Sequence, residues 1–284
     1  MSTRNDRPSY VKAIIATSEK KLIEANINNA KKEIEWFLEH AFKFSLTEIK
    51  LNSDLQLNNQ QIDIFNIFIN RRIKGEPFQY ILKESSFYGY SFIVNSSTLI
   101  PRPESEKIIS IAKKSGPYDN ALDIGTGSGN LAITLSLEKI INHVDAIDIS
   151  EEALKTARQN IIKHNLKNVH LFQGDVLKGL FHKQYDLIVC NPPYISKEDY
   201  LNLDDHIKLY EPKAALTDNQ DGLLFYHYLS KNLMNILSPK GKIILEIGKN
   251  KTKPIIEKLF QKKKFQFKWH KDLNHDYRVI ELYK

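Results

Sequence analysis

The chain has 284 residues, enough to bury a real core and to form one large or two small domains. Apolar residues make up 42% of it and charged residues 26%, as in ordinary globular proteins, and no run approaches the roughly 18 apolar residues that a membrane span needs. The formal net charge of +7 is compatible with an RNA-rich neighbourhood, but scattered lysines on a solvated surface explain it equally well.

Cysteine content and the start of the chain indicate a compartment. Cys190 is the only cysteine, which excludes an intramolecular disulfide and a cysteine-based zinc site. Because Cys190 ends an apolar strand, we predict a small buried hydrophobe rather than a nucleophile. Residues 1–8 lack the apolar core of a signal peptide, and Asp6, Glu19 and Glu24 argue against an organelle transit peptide. The sequence therefore favours the reducing cytoplasm, away from membranes.

The first part of the chain has a helical pattern. Apolar residues such as Ile34 and Phe37 recur at helical spacing between charged ones up to about residue 44, and Gln60 to Lys74 repeats the pattern before Gly75. We predict a small all-helical domain over residues 1–75. Its motifs do not distinguish a substrate-docking role from a plain structural cap.

The next segment, residues 76–100, predicts a β-hairpin that links two domains. Phe87 to Val94 is aromatic and partly alternating, with a bend at Gly89. The alternate prolines of Pro101-Arg102-Pro103 then keep the chain extended, and Ser105 is predicted to cap the following helix.

Residues 101–284 alternate strand and helix patterns, which predicts an α/β fold with a doubly wound, Rossmann-like sheet. Seven strands are expected, the last two forming a closing pair around a turn at residues 274–276. The predicted strands are 121–124, 144–147, 169–172, 185–190, 242–247, 265–269 and 279–283.

Asn191-Pro192-Pro193-Tyr194 stands at the end of one of these strands. In open α/β sheets ligands bind at the carboxyl ends of the strands. Asn191 supplies an amide acceptor and donor there, and Pro192 a carbonyl that no regular ladder uses. Taken alone, the four residues fit a site for a flat polar group and a proline-stopped strand about equally.

Upstream motifs favour a nucleotide-type ligand. Gly125-Thr126-Gly127-Ser128-Gly129 follows one strand, so its backbone can approach a ligand closely, and Asp148 at the next strand's end can accept the hydroxyl hydrogens of a ribose. Asn130 stands where a dinucleotide fingerprint has glycine, which disfavours a pyrophosphate. Asp175 suits an adenine amino group, or simply caps a turn. The nine histidines show no metal-ligand spacing, so we expect no metal site.

These motifs, in this order, resemble class I S-adenosylmethionine-dependent methyltransferases, and Asn-Pro-Pro-Tyr resembles those that methylate a planar nitrogen of adenine or glutamine. Other segments are similar to the peptide chain release factor N5-glutamine methyltransferase family, and the likeness covers nearly the whole chain. These segments are residues 76–81 and 101–106, Glu211-Pro212 with Ala215-Leu216, and Asp221-Gly222-Leu223.

The resemblance implies methyl transfer from S-adenosylmethionine to the glutamine of a Gly-Gly-Gln motif in a release factor. It implies substrate binding by Asn191, Pro192, Pro193 and Tyr194, with Asn191, Pro192 and Tyr194 as the catalytic residues. The implied cofactor-binding residues are Gly125, Thr126, Gly127, Ser128, Gly129, Asp148, Asp175, Val176 and Asn191.

Three loops depart from the family pattern, at residues 218–220, 249–251 and 274–275. They lie outside the methyl-transfer motifs. Alternatives to the release factor reading are an adenine-N6 methyltransferase on DNA or RNA, a ribosomal protein glutamine methyltransferase, and a binding protein without catalysis. No Arg/Lys-dense recognition segment or separate target-reading domain is evident, so no sequence-specific nucleic acid contact is expected. We expect a monomer.

Overall fold

In the computed structural model, which describes residues 9–179, 183–248, 250–272 and 274–283, the chain divides into two compact units. The first ends at Lys83 and the second begins at Glu84. Within the described residues, no helix combines the length and apolar character required to cross a bilayer.

The first unit is a small helical bundle. Phenylalanine side chains fill its core, and the rings of Phe37 and Phe68 stack with their centroids 4.1 Å apart. The predicted helical region is confirmed, with the addition of a two-residue ladder between β1 and β2 that no pattern indicated. The elements are β1 (Ser9–Tyr10), α1 (Val11–Glu24), α2 (Ala30–Phe42), α3 (Leu46–Leu51), β2 (Gln56–Leu57), α4 (Asn59–Ile73) and α5 (Phe78–Leu82).

The hairpin is shorter than the predicted linker. Strands β3 (Glu84–Phe87) and β4 (Tyr90–Ile93) pair antiparallel around Gly89, whose φ is +80°. Residues 78–82, which the sequence assigned to the linker, form helix α5 instead. The buried side chains of Phe78 and Ile81 belong to the core of the first unit, which explains why this segment folds with the helices.

The second unit contains the predicted seven-stranded sheet. Its strand order is β10-β11-β9-β8-β5-β6-β7, and the ladders among β7, β6, β5, β8 and β9 are parallel, whereas β11 runs antiparallel to both its neighbours. The strands are β5 (Tyr118–Ile124), β6 (Ile141–Asp148), β7 (Val169–Gln173), β8 (Tyr185–Cys190), β9 (Leu237–Glu246), β10 (Gln266–Lys271) and β11 (Tyr277–Tyr283).

Helices cover both faces of this sheet, as a doubly wound fold requires. Successive residues of a strand point to opposite faces, so Leu187 and Val189 belong to one core cluster and Ile188 and Cys190 to the other. The helices are α6 (Glu106–Ser115), α7 (Asn130–Leu137), α8 (Glu151–Lys163), α9 (Lys197–Leu201), α10 (Asp205–Tyr210), α11 (Lys213–Leu216), α12 (Leu224–Ile236) and α13 (Lys253–Gln261).

Strand order reverses between β5 and β8. From β5 the chain proceeds to β6 and β7 on one side, and then returns to place β8 on the other side. Such a switch point opens a crevice at the carboxyl ends of the two strands. The glycine turn follows β5 and Asn191 follows β8, so the fold brings the two predicted motifs to the same crevice.

Candidate active site

A cavity of about 520 Å³ lies at the carboxyl ends of β5 to β8. Two glycines of the turn after β5 line it: Gly125 has a φ of +73° and Gly127 a φ of +56°. A Cβ built on either glycine would meet no atom within 4 Å, so both positions face open space. A side chain there would project into that space, and its absence leaves the main chain accessible to a ligand.

Gly129 serves the fold rather than the cavity. Its φ is +81°, and an added Cβ would lie 2.9 Å from Cδ1 of Ile133 and 3.3 Å from Cβ of Ala157. It is not among the residues that line the cavity, whereas Thr126 and Ser128 are. The third glycine therefore permits close packing of α7 and α8 behind the turn.

A buried carboxylate lies beneath the glycine turn. Oδ2 of Asp123 accepts hydrogen bonds from Oγ1 of Thr126 at 2.7 Å and from the main-chain N–H of Ala132 at 3.2 Å. Oδ1 of Asp123 is buried and has no hydrogen-bond partner among the described residues. Burial raises the pKa of Asp123 to about 7, against the two hydrogen bonds, which lower it.

Asp148 ends β6 and faces the cavity. Its Oδ2 accepts the N–H of Gly127 at 2.8 Å and its Oδ1 the N–H of Ser150 at 2.9 Å. Each carboxylate oxygen keeps a second lone pair, so both can still accept a ligand hydroxyl. Burial raises the pKa of Asp148, while these main-chain donors oppose the rise. The predicted glycine turn and the predicted acidic residue are thus joined directly.

Asp175 and Val176 also line the cavity, after β7. Oδ1 of Asp175 accepts the N–H of Leu177 at 3.0 Å, so this side chain caps a short 3₁₀ turn, which is the structural role that the sequence left open. The cap uses one oxygen only. Apolar side chains complete this end of the cavity: Ile147, Ile149, Leu177 and Phe225.

Asn191, Pro192 and Pro193 line the cavity at the end of β8. Nδ2 of Asn191 donates to Oγ of Ser105 at 3.0 Å. Because the amide N–H₂ group is held by Ser105, the carbonyl oxygen Oδ1 is the end of Asn191 left to accept a bond from a ligand. Pro192 is buried and interrupts the strand pattern.

Tyr194 is placed differently from its three neighbours. It is not among the residues that line the cavity. Its hydroxyl donates to Oε1 of Glu246 at 3.1 Å, and its ring lies so close to Gly248 that an added Cβ there would be 2.8 Å from Cδ2. Burial, followed by the charge of Glu246, raises the pKa of Tyr194 well above its usual range. The predicted packing of Tyr194 on a substrate amide stays a prediction.

Known proteins resemble this chain in both units. Residues 13–82 match the family model described as the PrmC N-terminal domain, and residues 105–211 match the Methyltransferase small domain. A release factor glutamine methyltransferase of Bacillus cereus is 38% identical over 218 residues, 74% of this chain and 76% of the relative. One of Staphylococcus aureus is 34% identical over 254 residues, covering 87% and 90% of the two chains.

The chain belongs to the release factor glutamine methyltransferase family. The predicted resemblance is therefore confirmed, and the chain is a methyltransferase. A solved methyltransferase of Pyrococcus furiosus has the same fold, with a TM-score of 0.56 at 23% identity, over 80% of this chain and 99% of that one.

The structure accommodates two of the three departures from the family pattern. Asp218 accepts main-chain N–H bonds from Gln220, Gly222 and Leu224 at 2.8–3.0 Å, while Asn219 takes the positive φ of +59°. His275 takes a φ of +65° in the turn between β10 and β11.

Of the third departure, residues 249–251, Lys249 lies outside the described residues. Asn250 in the same loop donates to Oδ1 of Asp276 and accepts from the N–H of Tyr277, so this loop is tied to the turn before β11.

Several residues around the cavity were not predicted. Arg102 pairs with the buried Glu211, which also accepts the N–H of Ile100. Asn160 on α8 is fully buried and binds the carbonyls of Ser128 and Ile93 through Nδ2. Their partners lie far away in the chain, so no local pattern in the sequence marks these side chains.

Ser105 occupies the predicted N-cap position of α6, but its side chain makes no cap bond. It is the last residue of a 3₁₀ turn, and its own backbone is helical. Its hydroxyl instead donates to Glu246 and accepts from Asn191. Among the described residues no three His, Cys, Asp or Glu side chains are grouped as metal ligands would be.

Proposed function

We propose that this chain transfers a methyl group from S-adenosylmethionine to the side-chain amide nitrogen (N5) of the glutamine in a Gly-Gly-Gln motif of peptide chain release factors. Family membership supports the reaction class. The observation that carries the choice of a planar amide as acceptor is the orientation of Asn191, whose Nδ2 is held by Ser105, which leaves Oδ1 to accept a hydrogen from an amide N–H₂ group.

The residues around the cavity fit S-adenosylmethionine. The open space above Gly125 and Gly127 admits a ligand against the main chain. Asp148 has free lone pairs for ribose hydroxyls, and the apolar side chains of Val176 and Phe225 suit the faces of an adenine ring. We propose that Thr126, Ser128 and Asp175 complete this cofactor site and that Gly129 supports it from behind.

When bound, S-adenosylmethionine supplies a methyl group activated by its positively charged sulfur. A carboxamide nitrogen is a poor nucleophile because its lone pair is delocalised into the carbonyl. Oδ1 of Asn191 and the carbonyl of Pro192 would accept its two hydrogens, which fixes the nitrogen and favours its rehybridisation as positive charge develops. Pro193 and Tyr194 would hold this segment against the amide plane. No strong general base is required before transfer, and the methylated nitrogen then loses one of its two hydrogens as a proton.

We also propose that the helical unit docks the release factor. It exposes large apolar side chains on two helices: Trp36 is 48% exposed, Ile64 40% and Ile67 57%. A charge at Ile67 should then raise the KM for the release factor and leave kcat unchanged. An unaltered KM for Ile67→Lys, and for the corresponding change at Ile64, would argue against this role.

The acceptor class is tested by comparing which candidate substrates become labelled. The purified chain and methyl-labelled S-adenosylmethionine are incubated in separate reactions with release factors, ribosomal proteins, DNA or RNA. We expect label only in the release factor, and none when alanine replaces the Gly-Gly-Gln glutamine. Label confined to nucleic acid or to a ribosomal protein would assign the alternative acceptor, and no label anywhere would favour a binding protein.

A further inference from the structure

We infer that Glu246 is a positioning residue for the methyl acceptor, holding Asn191 through Ser105 and Tyr194 directly. This inference rests on the proposed glutamine methylation, since it concerns the residues that would hold the amide. It assigns a role to a buried carboxylate that the proposed transfer step does not itself use.

The contacts form one continuous chain of hydrogen bonds. Glu246 ends β9, next to β8, and is 1% exposed. Its Oε2 accepts from Oγ of Ser105, which in turn accepts from Nδ2 of Asn191 at 3.0 Å. Its Oε1 accepts from the hydroxyl of Tyr194 at 3.1 Å. Both ends of the Asn-Pro-Pro-Tyr segment are therefore tied to one carboxylate.

The direction of these bonds decides which end of Asn191 faces the acceptor. An ionised carboxylate can only accept, so the hydroxyl hydrogen of Ser105 is committed to Glu246. Oγ of Ser105 can then only accept from Asn191, and the N–H₂ group of Asn191 must point to it. A donor in place of the carboxylate would let Ser105 donate to Oδ1 of Asn191, and the amide could turn over.

The surroundings of Glu246 set when it is ionised. Burial raises the pKa of Glu246, whereas the bonds from Ser105 and Tyr194 and the charge of Arg278 on β11 lower it, and the charge of Glu104 adds to the rise. Burial prevails, and the pKa of Glu246 is raised to about 7. The other titratable groups that face it are Cys190 on β8 and Tyr226 on α12, and burial raises the pKa of each.

Glu246→Gln tests the inference because it keeps the shape of the side chain and adds a donor. We expect kcat to fall roughly tenfold or more, with KM for the release factor and affinity for S-adenosylmethionine unchanged within about twofold. The kcat of Ser105→Ala should fall by a similar factor. The kcat of the double variant should be no lower than that of the slower single variant, because Glu246 and Ser105 act in series on Asn191.

Glu281→Gln is the matched control. Glu281 is a buried carboxylate on β11 of the same sheet, but it pairs with Lys242 and His270 and makes no bond to the Asn-Pro-Pro-Tyr segment. Its kcat should equal that of the wild type. An equal loss in Glu281→Gln, or additive losses for Glu246→Gln and Ser105→Ala, would overturn the inference.

A second measurement needs no substrate. The side-chain amide resonances of Asn191, assigned by their loss in Asn191→Ala, are followed by ¹⁵N NMR as a function of pH. We expect them to titrate with a midpoint near 7 in the wild type, and not in Glu246→Gln or Ser105→Ala. The kcat of the wild type should fall as the pH drops below about 7, and Glu246→Gln should lack this fall.

Release factor labelling and the NMR titration together separate the inference from the proposed function. If the wild type labels no release factor but the Asn191 resonances titrate as described, the proposed methylation is wrong and the positioning role of Glu246 stands. If release factors are labelled and the Asn191 resonances do not respond to pH or to Glu246→Gln, the positioning role of Glu246 is wrong and the proposed methylation stands.

Discussion

The main-chain N–H of Gly127 donates to Oδ2 of Asp148 at 2.8 Å, and this bond joins the turn after β5 to the end of β6. It means that the carboxylate proposed to bind a ribose also fixes the glycine turn that admits the cofactor. The two parts of the cofactor site therefore depend on one another.

Asp148→Asn should weaken the affinity for S-adenosylmethionine roughly 10- to 100-fold. Both oxygens of Asp148 accept main-chain N–H bonds, so an amide would direct its N–H₂ group at a donor. Isothermal titration calorimetry measures the change. Asp119→Asn, an exposed carboxylate on β5, is the control and should bind normally. Unaltered affinity of Asp148→Asn would contradict its proposed role.

Asn191→Ala should reduce the rate of methyl transfer at least about 100-fold and change the affinity for S-adenosylmethionine only a few-fold. Its Oδ1 is the acceptor proposed to hold the substrate amide, whereas the glycine turn and Asp148 remain intact. Single-turnover kinetics with saturating release factor measure the rate. Near-normal methylation by this variant would rule out the proposed mechanism.

Gly129→Ala should lower the free energy of unfolding by about 1–3 kcal/mol more than Gly89→Ala. Both glycines have a φ near +80°, so both variants carry the same backbone strain. Only at Gly129 does the added Cβ meet other atoms, 2.9 Å from Cδ1 of Ile133. Urea denaturation of the two variants makes the comparison, and equal losses would show that α7 yields to the new methyl group.

Stability should fall as the pH rises from 5 to 8. Burial raises the pKa values of Asp123 and Glu246 to about 7, above those of the unfolded chain. The folded state therefore binds these protons more tightly. The resulting stabilisation is present below the unfolded pKa values and is lost as the pH rises through about 7, on the order of a few kcal/mol in all.

Asp123→Asn and Glu246→Gln should each flatten that dependence, as urea denaturation at several pH values would measure. Glu281→Gln is the control of opposite sign, because Lys242 and His270 help to hold the pKa of Glu281 below its usual value. The contribution of Glu281 to stability is lost only as the pH falls towards that lowered pKa. The dependence of stability on pH between pH 6 and 8 should therefore be the same in Glu281→Gln as in the wild type. An identical dependence of stability on pH in all variants would contradict the raised pKa values of Asp123 and Glu246.

Features that depend on residues close together in the sequence could be predicted from the sequence alone. The seven strands follow from short apolar runs, and the glycine turn follows from local spacing. Parallel strands bring their carboxyl ends to one edge, so Asp148 and Asn191 could be placed in one crevice without the structure.

Contacts between distant parts of the chain could not be predicted in this way. Ser105 is 86 residues from Asn191 and 141 from Glu246, and nothing local links them. Capping propensity suggested a local role for Ser105, but tertiary hydrogen bonds prevailed. Similarly, residues 78–82 were assigned to the linker because the helical pattern stops before Gly75, whereas burial of Phe78 with the other helices decides how this segment folds. A lone carboxylate in an apolar strand was the available signal for Glu246.

The most direct test of the account is to locate the methyl group. A release factor treated with the chain and S-adenosylmethionine is digested and sequenced by tandem mass spectrometry, with Asn191→Ala as the matched control. We predict one added methyl group on the side-chain amide of the Gly-Gly-Gln glutamine with the wild type and almost none with the variant. A methyl group on any other residue, or equal methylation by the variant, would contradict this prediction.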